Sequence, residues 1–420
     1  MPQLHRSSAG GHRSPRCRLC AATLEHTFVD LGMSPPCESF LSEDQLDQGE
    51  VTYPLHVRVC ERCLLVQLPA YITAEATFSD YAYFSSFSTS WVEHARRYCV
   101  DMAERLGLGA ASLVAEAASN DGYLLQHFVA MGIPVLGIEP AANIADIARN
   151  KGIRTEILFL GEATGHALHD KFGPADLVVG NNVYAHVPDL VDFTKGLRAL
   201  LADRGTVTLE VPHLLRLIQR RQYDTIYHEH FQYYTVLTAA RALASGGLRL
   251  VDVDELASHG GSLRLYAQPE ELAGEPSETV AEVLAAERAV GLHKIDGYAG
   301  FAASVDVVKR DLLEFLIDAA REGKSVAGYG APGKGNTLLN HCGIRSDLVA
   351  YTVDRNPYKH GRYCPGTHIP IFAPEQLAKT KPDYILILPW NLRTEIVKQL
   401  DYTRDWGARF VTAIPELRVG

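Results

Sequence analysis

The sequence lacks several features that would take it out of the ordinary globular class. No apolar run reaches the roughly 18 to 20 residues needed to cross a bilayer, and even Tyr384 to Trp390 stops far short. The first 16 residues are rich in His, Arg, Ser and Gly and hold no apolar stretch of the secretory kind, so a cytoplasmic chain with no membrane partner is expected. An excess of positive charge is also missing. Lys and Arg number 40 against 50 Asp and Glu, a net charge of −10, which excludes broad attraction to a nucleic-acid backbone; no nucleic-acid partner is expected. Cysteine is scarce, eight in 420 residues, too few for a disulfide-stapled scaffold.

What is present is a folded, multidomain composition: 47% apolar and 21% charged residues over a length that fits two or three domains. Short extended runs at Thr52 to Val59 and Leu64 to Leu68 make the segment from about Pro15 to Tyr71 a small β-rich module. Helical spacing covers about Ser79 to Leu106. Strand-like and helix-like stretches then alternate: Ser112 to Ala117, Tyr123 to Met131, Pro134 to Glu139, Ile144 to Lys151, Asp176 to Gly180, Leu190 to Leu201 and Gly205 to Val211. Such alternation predicts a parallel sheet flanked by helices. After helices at Thr279 to Val290 and Tyr298 to Arg321, and an Ala- and Glu-rich connecting piece near 270–297, a second alternation places strands at Ser325 to Tyr329, Leu348 to Val353 and Tyr384 to Leu388. The expected class is therefore α/β in three units, 1–75, 76–275 and 276–420.

Cys17-x-x-Cys20 and Cys60-x-x-Cys63 bracket the β-rich module, and each pair forms a turn able to aim two thiolates at one tetrahedral cation. Structural Zn²⁺ is the expected occupant. With four protein sulfurs in place it would organise the fold and leave no open position for chemistry. A redox role fits less well, since neither pair lies in a thioredoxin-like βαβ context.

The run Glu116-Ala117-Ala118-Ser119-Asn120-Asp121-Gly122 joins a strand to a helix, setting backbone N–H groups and a helix N-terminus beside a ligand. Glu139-Pro140 ends the following strand with a carboxylate suited to two ribose hydroxyls. Together they point to an adenosine-bearing cofactor. A dinucleotide would need more glycine near its pyrophosphate, and Gly122 is the only one in the turn, so S-adenosylmethionine is the better match. Phe159 and Leu160, after the third strand, could wall an adenine. Gly328-x-Gly330-x-x-Gly333, followed by Lys334, Asn336 and Thr337, lies between a strand and a helix; by itself it reads as a dinucleotide loop and keeps an NAD(P)-dependent oxidoreductase with structural zinc as a second reading. A zinc-ribbon adaptor is a third, weakened because the ribbon is not strongly basic.

These motifs, with Tyr81-x-Tyr83-x-Ser85-Ser86, Asn182-x-x-x-His186, Glu229-His230-Phe231 and His259-Gly260-Gly261, run along nearly the whole chain. The sequence resembles the S-adenosylmethionine-dependent C-methyltransferases that act on nucleotide-linked 4-keto-deoxysugars. The resemblance implies an N-terminal zinc-binding β module, a central class I methyltransferase domain of Rossmann-like form and a second Rossmann-like α/β domain for the nucleotide sugar. It implies an active site of Tyr81, His186, Tyr227, Glu229 and His230, with Asn182 beside the cofactor. One departure stands out: Ala118 occupies a position where the family carries glycine.

Carbon beside a ketone becomes a nucleophile only when a base removes its proton and the enolate charge is stabilised. His230 is the expected base, because a neutral imidazole accepts a proton at cellular pH, and Glu229 could orient it. The glycine loop would then serve the nucleotide half of the substrate, with Gly330, Lys334, Asn336 and Thr337 around a pyrophosphate and Asp354 on a ribose. Tyr83, Ser85, His259 and Gly260 would lie near the sugar. The expected partner is a nucleoside diphosphate sugar, thymidine diphosphate first, methylated at carbon 3 by a monomer or weak homo-oligomer.

Overall fold

The computed structural model describes residues 15–73 and 84–420, so the expectations for Tyr81 and Tyr83 lie outside the described residues. Strands are numbered in chain order. The first sheet is antiparallel and runs β1 (His26–Ser34), β2 (Tyr53–Val59), β3 (Val66–Gln67) and then β9 (Gln232–Tyr233). The second has the order β10 (Leu248–Leu256), β11 (Ser262–Pro269), β8 (Leu201–Pro212), β7 (Ala175–Asn181), β4 (Val114–Ala117), β5 (Val135–Ile138) and β6 (Thr155–Glu156). The third runs β14 (Ile371–Phe372), β13 (Thr352–Val353), β12 (Val326–Tyr329), β15 (Tyr384–Ile387), β16 (Arg409–Thr412) and β17 (Arg418–Val419).

In the second sheet β4 to β8 are parallel, while β11 and β10 are antiparallel additions at the β8 edge. This is the class I methyltransferase arrangement. Strand order reverses between β4 and β7, and in the third sheet between β12 and β15; such points open a crevice at the carboxyl ends of the strands. The β10–β11 hairpin was no part of the expectation. The connecting piece near 270–297 is a helix, Glu278–Ala289, whose buried Glu287 accepts from His213 Nε2 at 2.9 Å and from Val236 N–H at 2.6 Å. It is therefore packed on the central sheet.

The first and third sheets share a core. Phe28 of β1 stacks on Phe301 at 4.5 Å, and both belong to an apolar cluster that continues through Leu214, Leu312, Leu338 and Leu386. The first sheet is also completed from outside its own segment, since β3 pairs with β9, 165 positions later. Leu68 N–H donates to the Phe231 carbonyl at 2.8 Å and Phe231 N–H to the Ala185 carbonyl at 2.7 Å, so residues 182–187 and 227–233 are joined to the N-terminal module.

The four paired cysteines converge with all Sγ atoms within 4.8 Å of one another and no disulfide among them. Zinc–sulfur bonds of about 2.3 Å fit such a set. Each pair lies on the same kind of turn: Ala21 N–H donates to the Cys17 carbonyl at 2.9 Å and Leu64 N–H to the Cys60 carbonyl at 2.8 Å, with Ala21 and Leu64 at φ 59 and 64. Gln67 Nε2 donates to Cys17 Sγ at 3.1 Å, which favours a thiolate there. The residues fit a structural zinc. Arg18, inside the first knuckle, donates to the Pro188 carbonyl at 2.8 Å and covers the Phe231 ring at 5.1 Å. Removing zinc with a chelator, or replacing Cys60 with Ser, should lower the melting temperature and speed hydrogen exchange in both 15–70 and 227–233. Unchanged exchange at 227–233 in the zinc-depleted protein would show that the metal does not support that segment.

Candidate active site

The carboxyl ends of the second and third sheets face a single cavity of about 1170 Å³, to which the N-terminal module adds Cys37 and Glu38. On the β4 side, Ala118 and Asn120 both take left-handed backbone conformations, φ 55 and 48. For an L-residue that costs roughly 1 to 2 kcal/mol, which gives a physical reason for glycine at the Ala118 position in similar sequences. Glu139 holds the turn together: its carboxylate accepts Asn120 N–H and Ala141 N–H, each at 2.9 Å. Ser85 N–H donates to Asn120 Oδ1 at 2.9 Å, and Ser86 donates to the Asp121 carboxylate, which also meets Lys151 Nζ at 3.3 Å.

Ser85, Asn120, Glu139, Pro140, Phe159, Leu160 and Asn182 line the cavity. Glu116, Asp121 and Gly122 do not. Glu116 is buried within β4, where burial and the nearby Glu139 and Asp121 push its carboxyl well above the ordinary range. Asp121 braces Ser86, and a Cβ on Gly122 would meet Ile153 Cδ1 at 2.2 Å, so that glycine permits close packing beneath the turn.

Tyr227, Glu229, His230 and His186 come together on the opposite wall. The His230 ring lies 3.9 Å from that of Tyr227 and 4.6 Å from that of His186. His230 Nδ1 is 2.8 Å from the Thr225 carbonyl, which can only accept, so Nδ1 carries the proton and Nε2 keeps its lone pair. Burial, reinforced by His186, holds the His230 imidazole well below its ordinary pKa, and burial alone takes His186 down to about 4. Burial and the charge of Glu38 push Glu229 up to about 8. His228 points away, its Nε2 at 3.3 Å from the Tyr53 carbonyl.

On the third-sheet side the expectation is corrected. Lys334 lines the cavity, donating to Asn391 Oδ1 at 3.1 Å, but its neighbours in the glycine motif are engaged elsewhere. Asn336 Nδ2 donates to the Cys37 carbonyl at 2.7 Å and Thr337 Oγ1 to the Ile226 carbonyl at 3.0 Å; both residues are buried and neither lines the cavity. Asp354 accepts Ala331 N–H at 2.7 Å and Asn356 N–H at 2.8 Å, which closes the loop on itself. Gly330, at φ 87, passes so close to Pro389 that a Cβ would sit 2.6 Å from its Cδ. Glu38 lies against Gly333 at the helix start and pairs with Lys359 at 3.4 Å. His259 lines the cavity from the β10–β11 turn, with Nε2 at 3.3 Å from Asn182 Nδ2, whereas Gly260 lies behind it against Trp390.

Sequence reasoning missed one polar cluster on this cavity. Buried Glu210, near the end of β8, accepts from His94 Nε2 at 2.8 Å, Ser258 Oγ at 2.6 Å and Arg264 at 3.2 Å. Burial alone would raise its pKa, but these partners outweigh it and hold the carboxyl below the ordinary range. A lone carboxylate near the carboxyl end of an apolar strand was the available signal.

Family models match in three consecutive stretches: a zinc-binding domain at 17–78, a methyltransferase domain at 91–253 and a C-methyltransferase C-terminal domain at 257–415. The chain is 37% identical over 403 residues to C-methyltransferase NovU of Streptomyces niveus, covering 96% of each. The chain belongs to the C-methyltransferase family. Solved structures similar to it include an S-adenosylmethionine-dependent methyltransferase from Clostridium acetobutylicum ATCC 824 (12% identity, 42% of this chain and 91% of that one, TM-score 0.34). Another is the magnesium protoporphyrin IX methyltransferase of Synechocystis PCC 6803 with bound S-adenosylmethionine (15%, 42% and 77%, TM-score 0.32).

This C-methyltransferase uses S-adenosylmethionine. Its β4 and β5 ends fit that group: a cavity wall of Ile138, Pro140, Phe159 and Leu160 beside an anchored carboxylate, with no glycine-rich phosphate cradle. The ionisable groups around it also set how the C-methyltransferase responds to pH. Glu229 keeps its proton to about pH 8 when folded, against about 4.3 when unfolded, so its contribution is full in acid and is lost as pH rises through that window. The buried histidines act oppositely, costing stability only below about pH 6.5. Replacing Glu229 with Gln should therefore raise the melting temperature at pH 8 and have little effect near pH 5; parallel melting curves of the two proteins with the same pH slope would contradict this.

Proposed function

We propose that the chain methylates carbon 3 of a nucleoside diphosphate 4-keto-6-deoxysugar, with thymidine diphosphate as the nucleotide, through an enolate formed by His230. The observation that carries this reading is the fixed tautomer of His230, whose Nε2 lone pair is left for a proton in a cavity to which the N-terminal module and both α/β units contribute. The C–H electron pair flows into the ring carbonyl as Nε2 takes the proton. Glu229, protonated at neutral pH, Tyr227 and His186 are the donors for the enolate oxygen, the kind of charge that placed hydrogen bonds stabilise best in an enclosed site. Tyr81 joins them by resemblance. When bound, S-adenosylmethionine supplies a sulfonium methyl as the electrophile.

Glu139 is the group for the cofactor ribose, Phe159, Leu160 and Pro140 for its adenine, and Asn120, Asn182 and Ser85 for the remainder. Lys334 is the cation for the diphosphate and His259 the group toward the sugar, with Tyr83 assigned there by resemblance alone. Gly330, Asn336, Thr337 and Asp354 shape that half from behind. An NAD(P) oxidoreductase is disfavoured, because Asp354 already takes the Ala331 N–H and the Glu38 carboxylate lies against Gly333, where a dinucleotide pyrophosphate would need room and free N–H groups.

Replacing His230 with Asn should lower turnover by about 10²- to 10⁴-fold while S-adenosylhomocysteine affinity stays within a few-fold. With S-adenosylhomocysteine bound, the unaltered protein should exchange the proton at carbon 3 of a dTDP-4-keto-6-deoxysugar with deuterated water, and the variant should not. Exchange at normal rate in the variant would remove the base. Replacing Glu139 with Ala should weaken S-adenosylhomocysteine binding about 10- to 100-fold by calorimetry, since a charged hydrogen-bond acceptor is lost; unchanged affinity would place the cofactor elsewhere.

A further inference from the structure

Two hydrogen bonds from the third-sheet unit end on the loop that carries His230. Trp390, after β15, donates its Nε1–H to Asp224 Oδ2 at 2.6 Å, and Thr337 Oγ1 donates to the Ile226 carbonyl at 3.0 Å. Between those two residues lies Thr225, whose carbonyl receives the His230 Nδ1–H at 2.8 Å. Asp224 is fully buried and its Oδ1 has no hydrogen-bond partner, so Trp390 is the one donor to its carboxylate among the described residues. The Thr225 carbonyl belongs to the 225–226 peptide, whose Ile226 N–H donates to the Tyr223 carbonyl at 3.0 Å, so it moves with the short turn that the bonds to Asp224 and Ile226 anchor. Trp390 is itself confined: a Cβ on Gly260 would lie 2.5 Å from its ring, and Lys334 Nζ sits 5.1 Å from the ring centre on another side.

We propose that Trp390, Asp224 and Thr337 are positioning residues that hold the Thr225 carbonyl in place and so keep the proton of His230 on Nδ1, making the tautomer of the base depend on the docking of the third-sheet unit. The consequence for catalysis rests on His230 being the base; the tautomer itself does not. Each link is a directional hydrogen bond to a main-chain or carboxylate acceptor in a buried place, where a lost partner is not replaced by water. Without Trp390 Nε1–H, the buried Asp224 carboxylate has no donor, and the 223–226 turn shifts to find one, carrying the Thr225 carbonyl with it. The imidazole then divides between its two tautomers, and the form with the proton on Nε2 cannot accept one there.

The test uses the full chain labelled with ¹⁵N-histidine, the His230 signals being assigned by their loss in His230→Asn. The unaltered protein should show the Nδ1–H pattern of long-range ¹H–¹⁵N couplings. Trp390→Phe, which keeps the ring and loses the donor, should show a mixture of tautomers, as should Thr337→Val; Asp224→Asn, which still offers an oxygen to Trp390, should stay close to the unaltered pattern. With a dTDP-4-keto-6-deoxysugar as probe, kcat should fall about 10-fold in the first two while S-adenosylhomocysteine affinity is unchanged. A pure Nδ1–H pattern in both Trp390→Phe and Thr337→Val would overturn the proposal. Mixed tautomers with full activity would uphold the relay and remove His230 as base, which separates the two readings.

Discussion

The pairing of Val66 and Gln67 with Tyr233 and Gln232 is the constraint on which the active cavity depends. It adds a two-residue strand from the methyltransferase domain to the sheet of the zinc module, and His230 lies just before that strand. Phe231 is then held twice, by Leu68 through its carbonyl and by Ala185 through its N–H, which sets the His186 and His230 rings 4.6 Å apart. A two-residue strand has little stability of its own. Its partner strand must be rigid already, and the paired Cys-x-x-Cys turns on either side of the module make it so: Gln67 reaches Cys17 Sγ while Arg18 covers Phe231. The zinc site and the reacting wall are thus one mechanical unit, although the metal has no open position for chemistry.

The same enclosure decides the charge state of the cavity. Burial penalises the charged form of every ionisable group, so histidines move down, carboxyls move up and Lys334 moves down. The wall around His230 is therefore nearly neutral at physiological pH. On the proposed enolate route, proton abstraction from a carbon acid would create charge where there is little, and each donor aimed at it would gain from the low dielectric. Glu210 shows the opposite outcome on the adjoining wall. It is as buried as Glu229, but His94, Ser258 and Arg264 meet it, and it stays ionised. Partners, not depth, separate the two carboxylates.

How much of this could be read beforehand follows from sequence distance. The cysteine pairs and the strand–turn–acid pattern ending at Glu139 are local, each a few residues of fixed type at fixed spacing, and the structure forms them as the spacing predicts. The β10–β11 hairpin was hidden: a register shift between Leu250 and Asp252 interrupts the period-two alternation that marks a strand. Asn336 and Thr337 misled for a different reason. Their amide and hydroxyl suit a phosphate, but their partners are main-chain carbonyls at Cys37 and Ile226, 299 and 111 positions away. The Glu210–His94 contact spans 116 positions and was equally out of reach.

That misreading carries its own lesson about the third sheet. A strand, a glycine turn and a helix start form the same anion-binding geometry wherever they occur, because the free N–H groups of the first helical turn need acceptors. Here the protein supplies its own carboxylates, Asp354 accepting the Ala331 N–H and Glu38 from the zinc module lying against Gly333. The helix start thereby becomes a joint between modules, and its side chains at Asn336 and Thr337 extend the joint to Cys37 and to the His230 loop. Pro332, Gly333 and Lys334 of that turn still line the cavity, and Lys334 is the charged one among them. The strand, glycine turn and helix have kept their geometry while the chain's own carboxylates lie against the turn, and what remains open to the cavity is Lys334 with Pro332 and Gly333 beside it.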